Sequence, residues 1–327
     1  MKRLLSVLCI TALLLGSITG CGKEEVTLEQ PYDIYETTGS LGLGTTVSAG
    51  AQEYFSKDLC VADDVSLGTD TTDSQVAEGA GTFNLATNEI VYAKNIYERL
   101  YPASTTKILT AYIALKYCTD LSQTVTISEN AANQASDSSV CGLHAGDVIR
   151  MDDLLYGMML RSGNDAAIAI AESISGSVEE FAAQMNKEAA ALGATQSHFV
   201  NPNGLPDENH YTSVYDLYLI FQNAVQDQSF LDIISTMSYD VVYTDVNGAG
   251  VERTWENTNQ YLTGKEKAPE GITVVGGKTG TTGAAGYCLV LYSYNASGQP
   301  IVSIVLKADG KSNLYLLMNE MLGGFAN

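Results

Sequence analysis

The chain has 327 residues, which is enough for one large domain or two smaller ones with a sizeable core. Hydrophobic residues make up 45% of it, as in a globular protein and unlike a disordered or fibrous one. Asp and Glu outnumber Lys and Arg by 38 to 17, and the net charge of -21 argues against a nucleic-acid partner and against loose electrostatic adsorption to anionic lipid.

The first twenty residues are typical of an export signal. Lys2 and Arg3 precede an apolar run over residues 4–15, which is too short to span a bilayer as a helix. Small residues then lead to Cys21 in a pattern that resembles a bacterial lipobox. We therefore predict a lipoprotein signal peptide over residues 1–20 and an extracytoplasmic protein anchored to the cell membrane by lipid on Cys21. The alternative is a plain secretory signal in which Cys21 is incidental.

Residues 21–75 differ in composition from the rest of the chain. Acidic residues far outnumber lysines there, Thr, Ser and Gly are frequent, and apolar periodicity is weak. Such a segment repels itself and cannot bury much apolar surface. We predict an acidic, flexible tether over residues 21–75 and a catalytic domain over residues 76–327.

No metal or cofactor signature occurs in the sequence. The cysteines beyond the tether's start have no metal-ligand spacing, and no glycine-rich nucleotide or phosphate loop is present. We predict that the protein uses no cofactor. An exported protein could form disulfides, but the spacing of the cysteines specifies no pairing. We therefore prefer the interpretation that Cys60, Cys118, Cys141 and Cys288 are free thiols.

The domain is predicted to begin with a hairpin and a helix. Residues 75–85 and 89–93 have the character of strands around the turn residues Thr87 and Asn88. Pro102 then precedes an apolar helix over residues 104–117. Residues 128–235 are predicted to be mostly helical, with apolar positions at helical spacing over residues 151–160, 165–173, 178–192 and 213–225.

Beyond residue 238 the apolar period changes to that of strands. The segments 239–245 and 251–255 flank Asn247-Gly248, which is a hairpin signal. Further strands are predicted over residues 272–278, 287–294 and 301–307, and a closing helix over residues 313–322. This order predicts an α/β (α+β) fold: a sheet from the N- and C-terminal segments with a helical subdomain, about residues 120–237, inserted between them. A catalytic cleft between the two parts is expected.

Three short motifs carry the chemistry: Ser104-Thr105-Thr106-Lys107, Ser162-Gly163-Asn164 and Lys278-Thr279-Gly280. Singly the first two are weak, because Ser-x-Asn also occurs at residues 128–130 and 293–295. Their order and context together make them a strong signal, since this set is typical of penicillin-binding proteins and class A β-lactamases.

The motifs also make chemical sense. Residues three apart at a helix start share a face, so the Lys107 amine can reach the Ser104 hydroxyl and activate it as a nucleophile. Lysine is a base only when neutral, which requires burial and a second cation nearby, and Lys278 is the candidate. Ser162 is expected on an interhelical turn as a proton relay, with Asn164 bonding substrate or Lys107.

Much of residues 76–322 resembles the low-molecular-mass D-alanyl-D-alanine carboxypeptidase family, the serine peptidases of family S11. Besides the three motifs, the resemblance rests on residues 102–111, 154–172, 198–216 and 276–290. It implies a β-lactamase/DD-peptidase-like fold with a mostly antiparallel sheet. It also implies removal of the terminal D-alanine from peptidoglycan stem peptides through an acyl-enzyme on Ser104, and covalent inhibition by β-lactams.

The resemblance further implies roles for the third motif. Small residues there let a substrate pair with the strand, and Lys278, Thr279 and Gly280 would meet its terminal carboxylate. The Ser104 and Thr281 amides would form the oxyanion hole. Relatives often have an arginine near the start of the closing helix, and Lys311 is the candidate replacement here.

Rival interpretations remain open. A class A β-lactamase would need a carboxylate to activate the deacylating water, in a Glu-x-x-Leu-Asn segment that this sequence lacks. DD-endopeptidase and transpeptidase reactions share every motif. A non-catalytic penicillin-binding lipoprotein is a further alternative. No Ser/His/Asp set is evident, and we interpret His144, His198 and His210 as structural.

Overall fold

A five-stranded antiparallel sheet and a group of helices on one side of it form the body of the structure. The computed structural model describes residues 58–61, 63–70 and 74–325. In chain order the strands are β1 Ala77–Asn84, β2 Glu89–Lys94, β3 Thr124–Thr126, β4 Val148–Arg150, β5 Ser238–Thr244, β6 Gly250–Glu256, β7 Thr273–Thr282, β8 Gly286–Tyr294 and β9 Pro300–Ala308. The helices are α1 Lys107–Tyr117, α2 Glu129–Ala132, α3 Met151–Leu160, α4 Asn164–Ser175, α5 Val178–Ala191, α6 Val214–Ala224, α7 Gln228–Ser235 and α8 Lys311–Phe325.

The large sheet joins the two ends of the domain, as the sequence predicts. Its strand order is β2-β1-β9-β8-β7, and every neighbouring pair is antiparallel. The central strands β8 and β9 are buried on both faces, which explains their near-continuous apolar runs. β7 is an edge strand, and it contacts the 3-10 turn Ala103–Thr106 and helix α7.

Two hydrophobic clusters cover the two faces of this sheet. Helix α8 packs on β9, β1 and β8, and its apolar side chains form the smaller cluster with residues of those strands. The larger cluster lies on the opposite face, where α6 packs on β9 and β1. Helix α1 contacts α3, α4, α5 and α6 and is buried along most of its length. The helical part is therefore built around the helix that Lys107 begins.

The second sheet was not predicted. Strands β3, β4, β5 and β6 pair in that order, all antiparallel. The hairpin predicted around Asn247-Gly248 exists, but it joins this small sheet and not the sheet built from the chain ends. The reason is that β3 and β4 are only three residues long, so neither gives a periodic signal that would identify a partner for the hairpin.

The predicted domain start at residue 76 needs a correction, because earlier residues pack on the domain. Cys60 is fully buried, its main-chain N–H donates to Tyr218 Oη at 2.9 Å, and its carbonyl accepts from Tyr215 Oη at 2.8 Å. Leu67 exchanges main-chain hydrogen bonds with Ala93. Much of the predicted tether, including Cys21, lies outside the described residues. Within residues 58–61, 63–70 and 74–325, no helix has the length and apolar character needed to cross a membrane.

Candidate active site

Ser104 lies in a tight turn that leads directly into α1. A 3-10 turn, Ala103–Thr106, precedes the α-helix, which begins at Lys107 instead of Ser104. Lys107 Nζ stands 3.0 Å from Ser104 Oγ. Ala103 has a φ of 48°, a left-handed conformation that costs a non-glycine residue about 1 kcal/mol. Such backbone strain persists only where the surroundings hold it, and it is common at active sites.

The Lys107 amine is completely buried among oxygen atoms. Besides Ser104, its neighbours are Asn164 Oδ1 at 2.8 Å and the Asn203 carbonyl oxygen at 2.6 Å. Burial, and secondly the charge of nearby Lys278, hold the pKa of Lys107 well below its usual range. A neutral amine has two N–H donors and one lone pair. Because both the amide and the carbonyl oxygen only accept, they take the two donors and leave the lone pair for the Ser104 proton.

Ser162 occupies the turn between α3 and α4 in a left-handed conformation, with a φ of 62°. Lys278 Nζ donates to its hydroxyl oxygen at 3.0 Å. Gly163 follows, and a Cβ there would lie 2.3 Å from Cys141 Sγ, so a larger residue would require the Cys141 side chain to shift. Asn164 begins α4 and carries the amide oxygen that accepts from Lys107. The middle motif therefore contacts both lysines through two residues of one turn.

Asp165 fixes the loop beside this turn. Its buried carboxylate accepts from the main-chain N–H groups of Cys141, Gly142 and Leu143 at 2.9 to 3.1 Å. Just before these residues, the carbonyl of Ser139 accepts from the Asn164 N–H at 2.8 Å. The loop that carries Ser139 is thus attached to the start of α4 by charge-assisted hydrogen bonds.

β7 passes along the third side of the site. Lys278 is 1% exposed and also donates to the Thr279 carbonyl at 2.8 Å. Burial lowers the pKa of Lys278 to about 7. A Cβ on Gly280 would lie 2.9 Å from Ser104 N and 3.1 Å from Pro102 O. The glycine therefore allows the strand to lie directly against the turn that carries Ser104.

These elements surround a cavity of about 150 Å³. Behind its wall, buried Lys107 is hydrogen-bonded to Ser104 and to Asn164, and buried Lys278 is hydrogen-bonded to Ser162. The structure thus brings together every predicted site residue that falls within its described part. The predicted residues that line the cavity are Ser104, Ser162, Thr279, Gly280, Thr281 and Lys311.

Sequence reasoning missed several residues that line the cavity or contact Lys107 behind its wall. Thr258 Oγ1 lies 2.5 Å from Thr279 Oγ1, and Asn203 supplies a main-chain oxygen to Lys107. The turn-rich stretch around Asn203 was visible in the sequence, but its contact with Lys107 is made by the backbone and has no residue-type signal. The other additional lining residues are Ser139, Tyr287, Cys288, Leu314 and Tyr315.

The two other Ser-x-Asn segments lie away from this cavity's lining. Ser128 caps α2 and donates to Glu172 at 2.6 Å, and Ser293 is buried on β8. The cysteines of the described residues, Cys60, Cys118, Cys141 and Cys288, are free thiols, as predicted. In the same residues, no group of three or more His, Cys, Asp or Glu side chains could hold a metal ion.

Comparison with known proteins agrees with the geometry. The family model described as D-alanyl-D-alanine carboxypeptidase, Peptidase_S11, matches residues 69–310. The chain belongs to this peptidase family. The D-alanyl-D-alanine carboxypeptidase DacF of Bacillus subtilis is 36% identical over 75% of this chain, and DacA of Haemophilus influenzae is 34% identical over 73%. The chain spans 61% and 59% of the lengths of these two S11 relatives.

Solved structures of similar proteins share the fold. The DD-transpeptidase of Streptomyces K15 superposes with a TM-score of 0.68 at 30% identity, covering 75% of this chain and 96% of the other. A curated relative from Streptomyces strain K15, 32% identical over 70% of this chain, is named D-alanyl-D-alanine carboxypeptidase. The expected DD-peptidase-like fold is confirmed. The names of these relatives therefore include a hydrolytic enzyme, the carboxypeptidase, and a transfer enzyme, the transpeptidase.

Proposed function

We propose that the protein is a serine-type D-Ala-D-Ala carboxypeptidase that removes the terminal D-alanine from peptidoglycan stem peptides. The observation that carries this proposal is the buried Lys107 amine, 3.0 Å from the Ser104 hydroxyl at the wall of the cavity. A serine hydroxyl is a poor nucleophile without an adjacent base. The position of Lys107 and the low pKa that burial gives it are the properties such a base needs.

The chemistry proceeds in two halves. Ser104 Oγ attacks the carbonyl carbon of the D-Ala-D-Ala amide while Lys107 takes the hydroxyl proton. The oxyanion receives hydrogen bonds from the main-chain N–H groups of Ser104 and Thr281. The intermediate then expels the amine of D-alanine, which receives the proton that Lys107 took from Ser104, relayed by Ser162 and Lys278, so that Lys107 is neutral again. Water then attacks the acyl-enzyme while giving a proton to Lys107, and Lys107 passes that proton to Ser104 Oγ as the shortened peptide leaves.

The free carboxylate of the substrate is held at the other end of the cavity. Lys311 begins α8 and lines the cavity together with Thr279. Lys278, which precedes Thr279 on β7, supplies a second cation. The cavity's volume of about 150 Å³ suits a small leaving group such as alanine. Its lining residues include no Asp or Glu within the described chain, so no carboxylate is positioned to activate water against a penicilloyl adduct. This supports the proposal that β-lactams inhibit the protein as covalent, slowly released adducts. It disfavours the alternative that the protein is a class A β-lactamase.

Release of D-alanine from a stem pentapeptide tests the function. We expect equal amounts of D-alanine and tetrapeptide with the wild type and neither with Ser104→Ala. A cross-linked dimer and an added amine acceptor in parallel reactions measure the endopeptidase and transpeptidase rates. If the transfer product forms faster than the tetrapeptide produced by hydrolysis, transpeptidation would be favoured. A penicillin adduct without D-alanine release or transfer would favour the non-catalytic binding protein.

The same assay tests the role of Lys311. Lys311→Ala should lower kcat/KM for the pentapeptide about ten-fold, because a charge-assisted contact to the carboxylate contributes ~1.5 kcal/mol or more. The pentapeptide with an amidated C-terminus should be hydrolysed equally by wild type and variant. Lys307→Ala is the control, since Lys307 pairs with Glu78 away from the cavity lining. Equal losses on the acid and the amide would contradict carboxylate recognition.

The protein acts outside the cytoplasm and is attached to the membrane by lipid on Cys21. Residues 1–20 are removed as the signal peptide, and an acidic tether follows Cys21. The apolar run after Lys2 and Arg3, and the small residues before Cys21, support this. Cys21→Ser should abolish incorporation of labelled fatty acid and leave the protein unanchored. Undiminished labelling of that variant would contradict the anchor site.

A further inference from the structure

The peptide group between Ala103 and Ser104 connects buried residues outside the cavity lining to the reaction. A trans peptide is planar, so its C=O and N–H point in opposite directions. Whatever holds the Ala103 carbonyl therefore also sets the direction of the Ser104 N–H. That N–H lies beside Gly280, since a Cβ there would stand 2.9 Å from Ser104 N.

Thr106 and Gly204 both contact the Ala103 carbonyl. Thr106 Oγ1 donates to Ala103 O at 2.8 Å. A Cβ on Gly204 would lie 1.9 Å from the same oxygen, so the loop that contains Gly204 lies directly against it. Because Ala103 is in a left-handed conformation, its own backbone preference works against this orientation. The orientation depends on what surrounds the peptide.

His210 determines where the Thr106 proton goes. A main-chain N–H can only donate, and that of Val200 donates to His210 Nδ1 at 3.1 Å. The ring is neutral, because burial lowers the pKa of His210 to about 4. Its single proton is therefore on Nε2, which lies 2.9 Å from Thr106 Oγ1. The Thr106 oxygen accepts from His210, and its own proton remains for Ala103.

We propose that Thr106 and His210 are positioning residues that direct the Ser104 N–H toward the oxyanion, by fixing the Ala103 carbonyl on the other side of the same peptide. His210 Nε2–H donates to Thr106 Oγ1, and the Thr106 hydroxyl donates to the Ala103 carbonyl oxygen. This two-step chain of hydrogen bonds, called the relay below, fixes the direction of that carbonyl. This inference rests on the proposed acyl-enzyme function. It gives His210 a role in the reaction rate, whereas a packing role would affect stability alone.

Thr105 offers a matched control. Its hydroxyl also donates to the carbonyl three residues earlier, Pro102 O, at 2.7 Å, and both threonines are fully buried in the same turn. The Pro102 carbonyl belongs to the preceding peptide, whose N–H is that of Ala103. Replacing either threonine by valine removes one buried hydroxyl of the same kind. Only the Thr106 change releases the peptide that carries the Ser104 N–H.

The test measures acylation by benzylpenicillin in the full-length protein, separating the acylation rate constant from the dissociation constant of the non-covalent complex. Losing one oxyanion donor costs ~10² to 10³ in rate, so misdirecting one should cost about 10 to 100-fold. We expect this loss for Thr106→Val, with the dissociation constant changed less than about two-fold. Thr105→Val should stay within about three-fold of the wild type, and Thr106→Ser should recover most of the rate.

Two histidine variants keep the test decisive if Thr106→Val folds poorly. His210→Gln retains a donor near the Nε2 position, whereas His210→Phe retains none. The relay predicts slower acylation for His210→Phe than for His210→Gln at similar melting temperatures. Equal rates in that pair, or equal losses for the two threonine variants, would overturn the proposal while leaving the acyl-enzyme intact. A wild type that is not acylated would overturn both.

Discussion

Lys107→Met is expected to slow acylation of Ser104 by about a thousand-fold, the middle of the range for losing a general base. Methionine keeps the length and most of the volume of the side chain but has no amine to receive the proton. Benzylpenicillin acylation followed by intact mass measures the loss directly. The wild-type rate should also fall as pH is lowered, because protonation of Lys107 removes its lone pair, and this acid limb should disappear in the variant.

Lys116→Met is the control for that substitution. Lys116 lies on the same helix, and its amine contacts Glu188 at 2.6 Å instead of a residue of the cavity. Its loss should leave acylation near the wild-type rate. Wild-type acylation by Lys107→Met would mean that another group accepts the Ser104 proton, and the interpretation of the buried amine would be wrong.

Lys278→Met is expected to slow acylation about a hundred-fold at neutral pH and, at the same time, to stabilise the protein. The rate falls because Lys278 holds Ser162 and supplies positive charge to the cavity. The charge of Lys278 also lowers the pKa of Lys107, so its removal should move the acid limb of acylation to higher pH. Acylation rates of the variant across pH measure both effects.

The stability change follows from the buried charge. Burial lowers the pKa of Lys278 to about 7 from a usual value near 10.5. Between these two pH values the unfolded chain binds a proton that the folded protein does not, so this group makes stability rise with pH across that window. Below about pH 7 both states are protonated and the full penalty of a buried charge remains.

Lys278→Met should therefore exceed the wild type in free energy of unfolding by a few kcal/mol at about pH 6, and the gap should shrink toward pH 10. Denaturant unfolding of both proteins at several pH values measures it. Lys267→Met, the same change at an exposed lysine, should show no such gap. A gap that is constant with pH would mean that Lys278 is not shifted in the folded protein.

The sequence predicts the parts of this molecule that are local or motif-based. Helix α3 has the predicted bounds, 151–160, because its apolar spacing and the following turn are strong local signals. The three motifs meet at one cavity because the first two lie at helix starts and the third lies on the edge strand β7, which passes beside them. Contacts made by main-chain atoms could not be predicted: the Asn203 carbonyl binds Lys107 whatever its side chain.

Other features depend on pairing between distant segments. β7 continues past its predicted end at residue 278 to Thr282, because Thr279, Gly280, Thr281 and Thr282 pair with β8. The small second sheet needs β3 and β4 to find β5, and three-residue strands do not specify that pairing. Cys60 is buried although it lies in an acidic segment, between Asp58 and Asp63, because two tyrosines of α6 form hydrogen bonds with its backbone.

The most direct test of the central claim is the intact mass of the full-length protein after incubation with benzylpenicillin, followed by peptide mapping. Nucleophilic attack by Ser104 predicts one penicilloyl group per molecule, located on Ser104, persistent for many minutes and absent from Ser104→Ala. No adduct on the wild type, or an adduct of the same size on Ser104→Ala, would contradict the assignment of Ser104 as the nucleophile.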